Sequence, residues 1–156
     1  MRLSKGEEYG VRLAMSLATA GRQVTVGELA ERESLPEPTV AKVLSNLRRG
    51  GVVEASRGCQ GGYELANAPE ETSVRSILRA MDGPLFEGSF CQQDEASCVH
   101  QGTCSLLPVW QQLEVLIDSY LERISLAELV SGRVSARMPV AIAPPPRRSG
   151  DDLAGR

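Results

Sequence analysis

Residues 25–65 read TVGELAERESLPEPTVAKVLSNLRRGGVVEASRGCQGGYEL, and this stretch decides the fold. Thr25 and Glu28 have capping-box spacing, which satisfies two orphan amides at the start of a helix over Val26 to Glu33. Ser34-Leu35-Pro36 then makes a short turn, and a further helix opens at once, because proline is tolerated in a first turn and Pro38 stands there. Val40, Val43, Leu44 and Leu47 recur at helical spacing and form its buried face. Thr39, Lys42, Ser45, Asn46, Arg48 and Arg49 are left on the more exposed face, and Gly50-Gly51 ends the helix. Val52 to Ser56 and Tyr63 to Leu65 read as strands, joined by the glycine-rich tip Arg57-Gly58-Cys59-Gln60-Gly61-Gly62 with its single cation. Two helices across a tight turn followed by such a hairpin make a winged helix-turn-helix. In that fold the second helix of the pair enters the major groove of DNA, and the wing touches the flanking backbone or minor groove.

Outward from this stretch the same signals continue. Ser4 caps a first helix running to about Ala20, with Gly10, Leu13, Ala14, Leu17 and Ala18 on one face and Gly21 as its stop. Beyond Pro69, Val74, Ile77, Leu78 and Met81 predict another helix, capped by Thr72 or Ser73 and stopped by Asp82-Gly83. Pro84 to Thr103 has no sustained period and is long for a structureless connection. From Ser105 a long amphipathic helix is expected, with Leu106, Val109, Trp110, Leu113, Leu116, Ile117, Tyr120, Leu121 and Ile124 in one stripe. The stripe spans about 27 Å at ~1.5 Å per residue and holds the only tryptophan, so it is expected to pair with its twin in a homodimer rather than cover its own domain. Ser125 and Glu128 form a second capping box, after which Leu126 to Val130 turns back. From Gly132 no element is expected, and Ala143-Pro-Pro-Pro-Arg-Arg-Ser-Gly-Asp-Asp belongs to a disordered tail. The expected organisation is mainly α: a winged helix-turn-helix DNA-binding domain over 1–83 with a small β-hairpin wing, a cysteine-rich loop over 84–104, a long C-terminal dimerisation helix with a short return helix over 105–131, and a tail over 132–156.

A chain of 156 residues fits one domain and an appendage, which excludes two large independent domains. With 42% hydrophobic and 24% charged residues it is neither collagen-like nor wholly disordered. No apolar run is long enough for a membrane span, and MRLSKGEEYG has no apolar signal region, so a cytoplasmic protein without membrane contact is expected. The net charge of −3 is unevenly spread: residues 1–66 carry 9 Lys/Arg against 8 Asp/Glu (+1), residues 67–133 carry 4 against 10 (−6), and residues 134–156 carry 4 against 2 (+2). Only a locally basic face can meet DNA phosphate.

Three of the four cysteines form Cys91-x6-Cys98-x5-Cys104. Thiolates are soft ligands, and three that converge suit zinc or an iron-sulfur cluster; the spacing matches neither the zinc-ribbon pairs nor the ferredoxin run, so it does not choose between them. His100 is a possible nitrogen ligand, and Cys59, alone on the hairpin tip, reads as incidental. A thiol enzyme is disfavoured, because the only histidine lies inside the cysteine loop and no C-x-x-C appears, so the chain reads as no enzyme.

The wing Ser56-Arg57-Gly58-Cys59-Gln60-Gly61-Gly62-Tyr63-Glu64-Leu65, the opening Met1-Arg2-Leu3-Ser4, the three spaced cysteines and Ile124-Ser125-Leu126-Ala127-Glu128-Leu129-Val130 together resemble the bacterial Rrf-two-type winged-helix transcriptional regulators over residues 1–131. The cysteine loop is similar to the iron-sulfur branch, which includes IscR-type regulators of cluster assembly and NsrR-type nitric oxide sensors. The resemblance implies a dimer held by the long helix, with Cys91, Cys98 and Cys104 ligating an iron-sulfur cluster, 2Fe-2S or 4Fe-4S. IscR-type proteins use a histidine three residues after the last cysteine, where this chain has Leu107. NsrR-type proteins borrow a carboxylate near the start of helix 1 from the other subunit, and Glu8 stands at that position. The fourth ligand is then Glu8 or His100.

The expected function is DNA-binding transcription regulation, as a repressor, with affinity for a partly palindromic double-stranded operator controlled by a cluster that senses iron-sulfur status, redox state or nitric oxide. The alternative is a zinc-stabilised or cluster-free thiol-switching regulator. Ser4, Thr25, Lys42 and Arg48 are assigned to phosphates, Thr39 and its neighbours to base edges, and Arg57 to the minor groove.

Overall fold

Leu13, Leu29, Val40, Leu44, Leu47, Val53, Ile77 and Leu126 are shut off from solvent together, and every described helix except α5 contributes to that one core. The computed structural model describes residues 4–56, 61–81 and 104–134. Within them the order is α1 (Lys5–Ala20), α2 (Val26–Glu33), α3 (Glu37–Arg49), β1 (Val53–Ser56), β2 (Gly62–Leu65), α4 (Val74–Ala80), α5 (Leu107–Glu122) and α6 (Leu126–Ser131).

Local chemistry accounts for the boundaries. The Ser4 hydroxyl accepts from the Glu7 amide at 3.2 Å while the Glu7 carboxylate accepts from the Ser4 amide at 2.7 Å, and Gly21 ends α1 at φ 58°. The Thr25 hydroxyl accepts from the Glu28 amide in the same way. The reciprocal half of that expected box is absent. The Glu28 carboxylate turns instead to Arg22 and Arg32, each at 2.6 Å, because charge-assisted pairs with two guanidiniums outcompete one neutral amide. Ser34 adopts the left-handed conformation that closes α2, and Pro36 with Pro38 opens α3. At the far end of α3, an added Cβ on Gly50 would lie 2.3 Å from the Ala80 Cβ, so only glycine lets α4 pack this closely.

The hairpin is antiparallel, pairing Val53 with Leu65 and Ser56 with Gly62. β1 starts one residue later than expected, because the Val52 amide still donates to the Leu47 carbonyl at the end of α3. Ser73, rather than Thr72, supplies the cap of α4.

The long helix departs most from expectation. It begins at Leu107 with Pro108 in its first turn, not at Ser105, which makes no side-chain cap. None of its residues is buried, and the apolar stripe divides along its length and across its width. Ile117, Tyr120 and Leu121 pack with Ile124 against Val74 and Leu78 of α4, while Leu106, Val109 and Leu116 remain exposed. The expected homodimer seam is therefore shared with an intrachain contact. Arg75 of α4 clamps that contact by donating to Asp118 of α5 at 2.6 Å. α6, after its complete Ser125–Glu128 capping box, returns onto α1 and places Leu126 in the main core. No described helix is long and apolar enough to cross a membrane.

Candidate functional site

The turn at Ser34 sets α3 across the end of α2, with Val40, Val43, Leu44 and Leu47 inward. That leaves Lys42, Ser45, Arg48 and Arg49 exposed on the outer face, with Thr39 and Asn46 half-buried beside them. Lys42 and Arg48 carry no ion pair among the described residues, whereas Arg49 donates to the Asn46 amide oxygen at 2.7 Å. The only acid on α3 is Glu37 in its first turn, so the rest of the helix surface is cationic, with Lys42 and Arg48 placed to meet a polyanion. Thr25 is exposed at the start of α2 and Ser4 at the start of α1; both hydroxyls accept a cap bond and retain a proton to donate.

The wing is tied to this pair of helices by backbone. Val24, in the α1–α2 connection, exchanges both main-chain hydrogen bonds with Tyr63 of β2 at 2.9 Å, a single antiparallel bridge on the edge of the hairpin. The tip itself, with Arg57 and Cys59, lies outside the described residues.

The proposed sensing residues are only partly described. Glu8 is exposed on α1, its carboxylate 3.6 Å from Arg12. Glu7, beside it, is buried and committed to the Ser4 cap. Cys104 carries a free thiol and is half-buried just before α5. Cys91, Cys98 and His100 lie outside the described residues. Among the described residues no three His, Cys, Asp or Glu side chains gather around one point.

Two residues that sequence reading passed over organise this surface. Arg12 donates from Nε to the Glu33 carboxylate at 3.0 Å and from Nη2 to the Glu33 carbonyl at 2.7 Å, pinning the last residue of α2 to α1; Ser16 donates to the same carboxylate. Gln23 reaches from the α1–α2 connection onto the hairpin. Neither role has a sequence signal, because Arg12 reaches Glu33 across 21 residues and Gln23 reaches Ser56 across 33. Two carboxylates are shifted down: Glu28 by the hydrogen bond from Arg22, reinforced by Arg32, and Glu128 by the Ser125 amide. Arg22 is raised correspondingly by Glu28.

A cationic second helix behind a tight turn, followed by a backbone-anchored hairpin, defines a winged helix-turn-helix of the DNA-binding class. An HTH-type transcriptional regulator of Mycobacterium tuberculosis strain H37Rv is 37% identical over 135 residues, covering 85% of this chain and 83% of that protein. The structure of T. potens IscR superposes with a TM-score of 0.63 at 30% identity, covering 88% of this chain and 92% of that one. CymR, the global cysteine regulator of B. subtilis, shares the fold at a TM-score of 0.67 and 22% identity, over 85% of this chain and 98% of its own. The chain belongs to the Rrf2 family, described as iron-dependent transcriptional regulators, which it matches over residues 3–132. Its role is regulatory, not enzymatic.

Proposed function

We propose that this chain is a cytoplasmic homodimeric repressor whose affinity for a partly palindromic DNA operator is set by an iron-sulfur cluster, held by Cys91, Cys98 and Cys104 with Glu8 of the partner subunit as fourth ligand. The observation that carries the sensing half is the division of labour between two adjacent acids. Acidic residues favour the positive end of a helix, and Glu7 already fills that role while buried in its cap. Glu8 is left exposed with a single, loose ion-pair partner.

The donor chemistry fits. Cys104 offers a free thiol, Glu8 an exposed carboxylate held only by a 3.6 Å ion pair with Arg12, and three thiolates with one oxygen are a sufficient set for iron. When bound, the cluster supplies a centre that reacts with oxidant or nitric oxide. The protein's own part is to tie that centre to geometry. A ligand lent by the other subunit links cluster occupancy to the way two copies meet along α5, and Arg12 links Glu8 to the end of α2, one residue before the turn into α3. On the DNA side, Lys42 and Arg48 with Ser4 and Thr25 hold phosphates, Thr39 faces base edges, and Arg57 enters the minor groove.

A second reading, a zinc-stabilised or thiol-switching regulator, is favoured by the free Cys104 thiol taken alone. Anaerobic purification with a visible spectrum and iron and sulfide counts separates the two. Cluster absorption with matching iron and sulfide, lost in Cys91→Ala, Cys98→Ala or Cys104→Ala, is the expected result. Glu8→Ala is expected to alter the spectrum or speed cluster loss while His100→Ala changes little. A colourless protein with stoichiometric zinc would replace this reading by the second; bleaching by His100→Ala with Glu8→Ala unaltered would move the fourth ligand to the histidine.

A further inference from the structure

The hairpin that carries the wing is poorly built to hold its own position. Each strand has only four residues, and an isolated two-stranded hairpin is marginal in water. Its register also sets Glu54 directly opposite Glu64, and like charges facing across a strand pair push the strands apart. Something outside the hairpin must fix it.

The α1–α2 connection does so with two consecutive residues. Val24 pairs with Tyr63 through main chain, and the approach is so close that a Cβ on Gly62 would stand 2.9 Å from the Val24 carbonyl oxygen. Gln23 supplies the side-chain half. Its amide nitrogen donates to the Ser56 hydroxyl at 2.7 Å and to the Glu64 carboxylate at 2.9 Å, so one group grips both strands. Ser56 is the last residue of β1 and immediately precedes Arg57, the cation of the tip. The hydrogen bond that the Glu64 carboxylate accepts from Gln23 also offsets its repulsion from Glu54. The other side of the same connection is held by Arg22, which donates to the Gln23 carbonyl and pairs with Glu28 in the first turns of α2.

We infer that Gln23 is the positioning residue of the wing: by gripping Ser56 and Glu64 it sets the ends of both strands, and so the base of the tip, relative to the helix-turn-helix. The inference rests on the reading of Arg57 as the wing's DNA contact. Gln23 acts through the wing and makes no DNA contact of its own.

A double-mutant cycle on full-length protein, read as operator affinity, separates these statements. Gln23→Ala is expected to weaken operator binding about tenfold, the scale of one groove contact, with an unchanged melting temperature for the half-exposed site. In an Arg57→Ala background the same change is expected to do almost nothing, because the contact it positions is already gone. Gln23→Glu removes the donor and adds a third carboxylate, so it should be at least as damaging as alanine. Adding Glu64→Gln to Gln23→Glu reverses the direction of the bond and should restore most of the affinity, a rescue that no general loosening of the fold predicts. Full additivity of Gln23→Ala with Arg57→Ala would overturn the inference by making Gln23 a contact in its own right. Loss with Arg57→Ala but none with Gln23→Ala would overturn it while leaving the wing reading intact. No loss with Arg57→Ala would remove the wing reading, and this inference with it.

Discussion

α3 and α5 are both amphipathic helices, of 13 and 16 residues, yet they spend their apolar faces differently. α3 buries Val40, Val43, Leu44 and Leu47 in the chain's own core and turns cations outward. α5 buries nothing: one edge of its stripe leans on α4, and the other leaves Leu106 at 54%, Val109 at 54% and Leu116 at 42% exposure. A row of large apolar residues open to water is unfavourable for a lone chain and suits a surface meant for a second one. One helix completes a fold; the other leaves the apolar edge on which the proposed dimer rests.

The contrast predicts different failures. The largest effect belongs to α3, where Leu44→Ala empties a fully buried site and should lower unfolding free energy by about 2 to 5 kcal/mol in denaturant titration. Next is the α4–α5 clamp. Asp118→Ala leaves the Arg75 guanidinium, already without partners for Nε and Nη1 among the described residues, buried and unpaired; a loss of about 3 kcal/mol is expected in the same titration. On the two edges of α5 the outcomes should diverge. Leu116→Asp charges the open edge and should give a folded monomer by sedimentation, whereas Ile117→Asp drives a charge into the contact with α4 and should destabilise the fold itself. A dimeric Leu116→Asp protein would erase the distinction between the edges.

Most of the DNA-binding half was legible in the sequence because its determinants are local. Ser4 as the cap of α1, Thr25 with the Glu28 amide, Pro38 in a first turn and the Val40 to Leu47 spacing are each decided within eight residues. The failures have a common physical form. Glu28 left its capping box for Arg22, which lies before the helix, together with Arg32 on the next turn, a competition that capping-box spacing alone does not decide, and the division of the α5 stripe depends on Arg75 meeting Asp118 across 43 residues. Ile117 and Leu116 are neighbours in one periodic pattern, and only the docking of α4 assigns them to different surfaces. For the proposed sensing site, the spacing of Cys91, Cys98 and Cys104 suggests soft-metal chemistry, but the separation of Glu7, buried in its cap, from Glu8, exposed beside Arg12, needed the three-dimensional arrangement.

Smaller effects sharpen the picture at the surface. Lys42→Ala should weaken binding to all DNA sequences alike and reduce the salt dependence by about one unit of slope, since a phosphate contact carries no base information. The smallest effect is at the start of α6. Glu128 is held below the usual carboxylate range by the Ser125 amide, so the cap's contribution is present above that range and is lost as pH falls through the lowered value. Ser125→Ala removes the hydroxyl that caps the Glu128 amide but keeps its own amide, so it should cost about 1 kcal/mol in denaturant titration while leaving Glu128 lowered by the main-chain bond that remains.

The central claim is that cluster occupancy controls DNA affinity, and a single titration meets it directly: anaerobic binding of one operator by the same dimer preparation, first loaded and then stripped of iron and sulfide. The account predicts two clearly separated affinities, with the difference abolished in Cys104→Ala. Identical curves for loaded and stripped protein would contradict it.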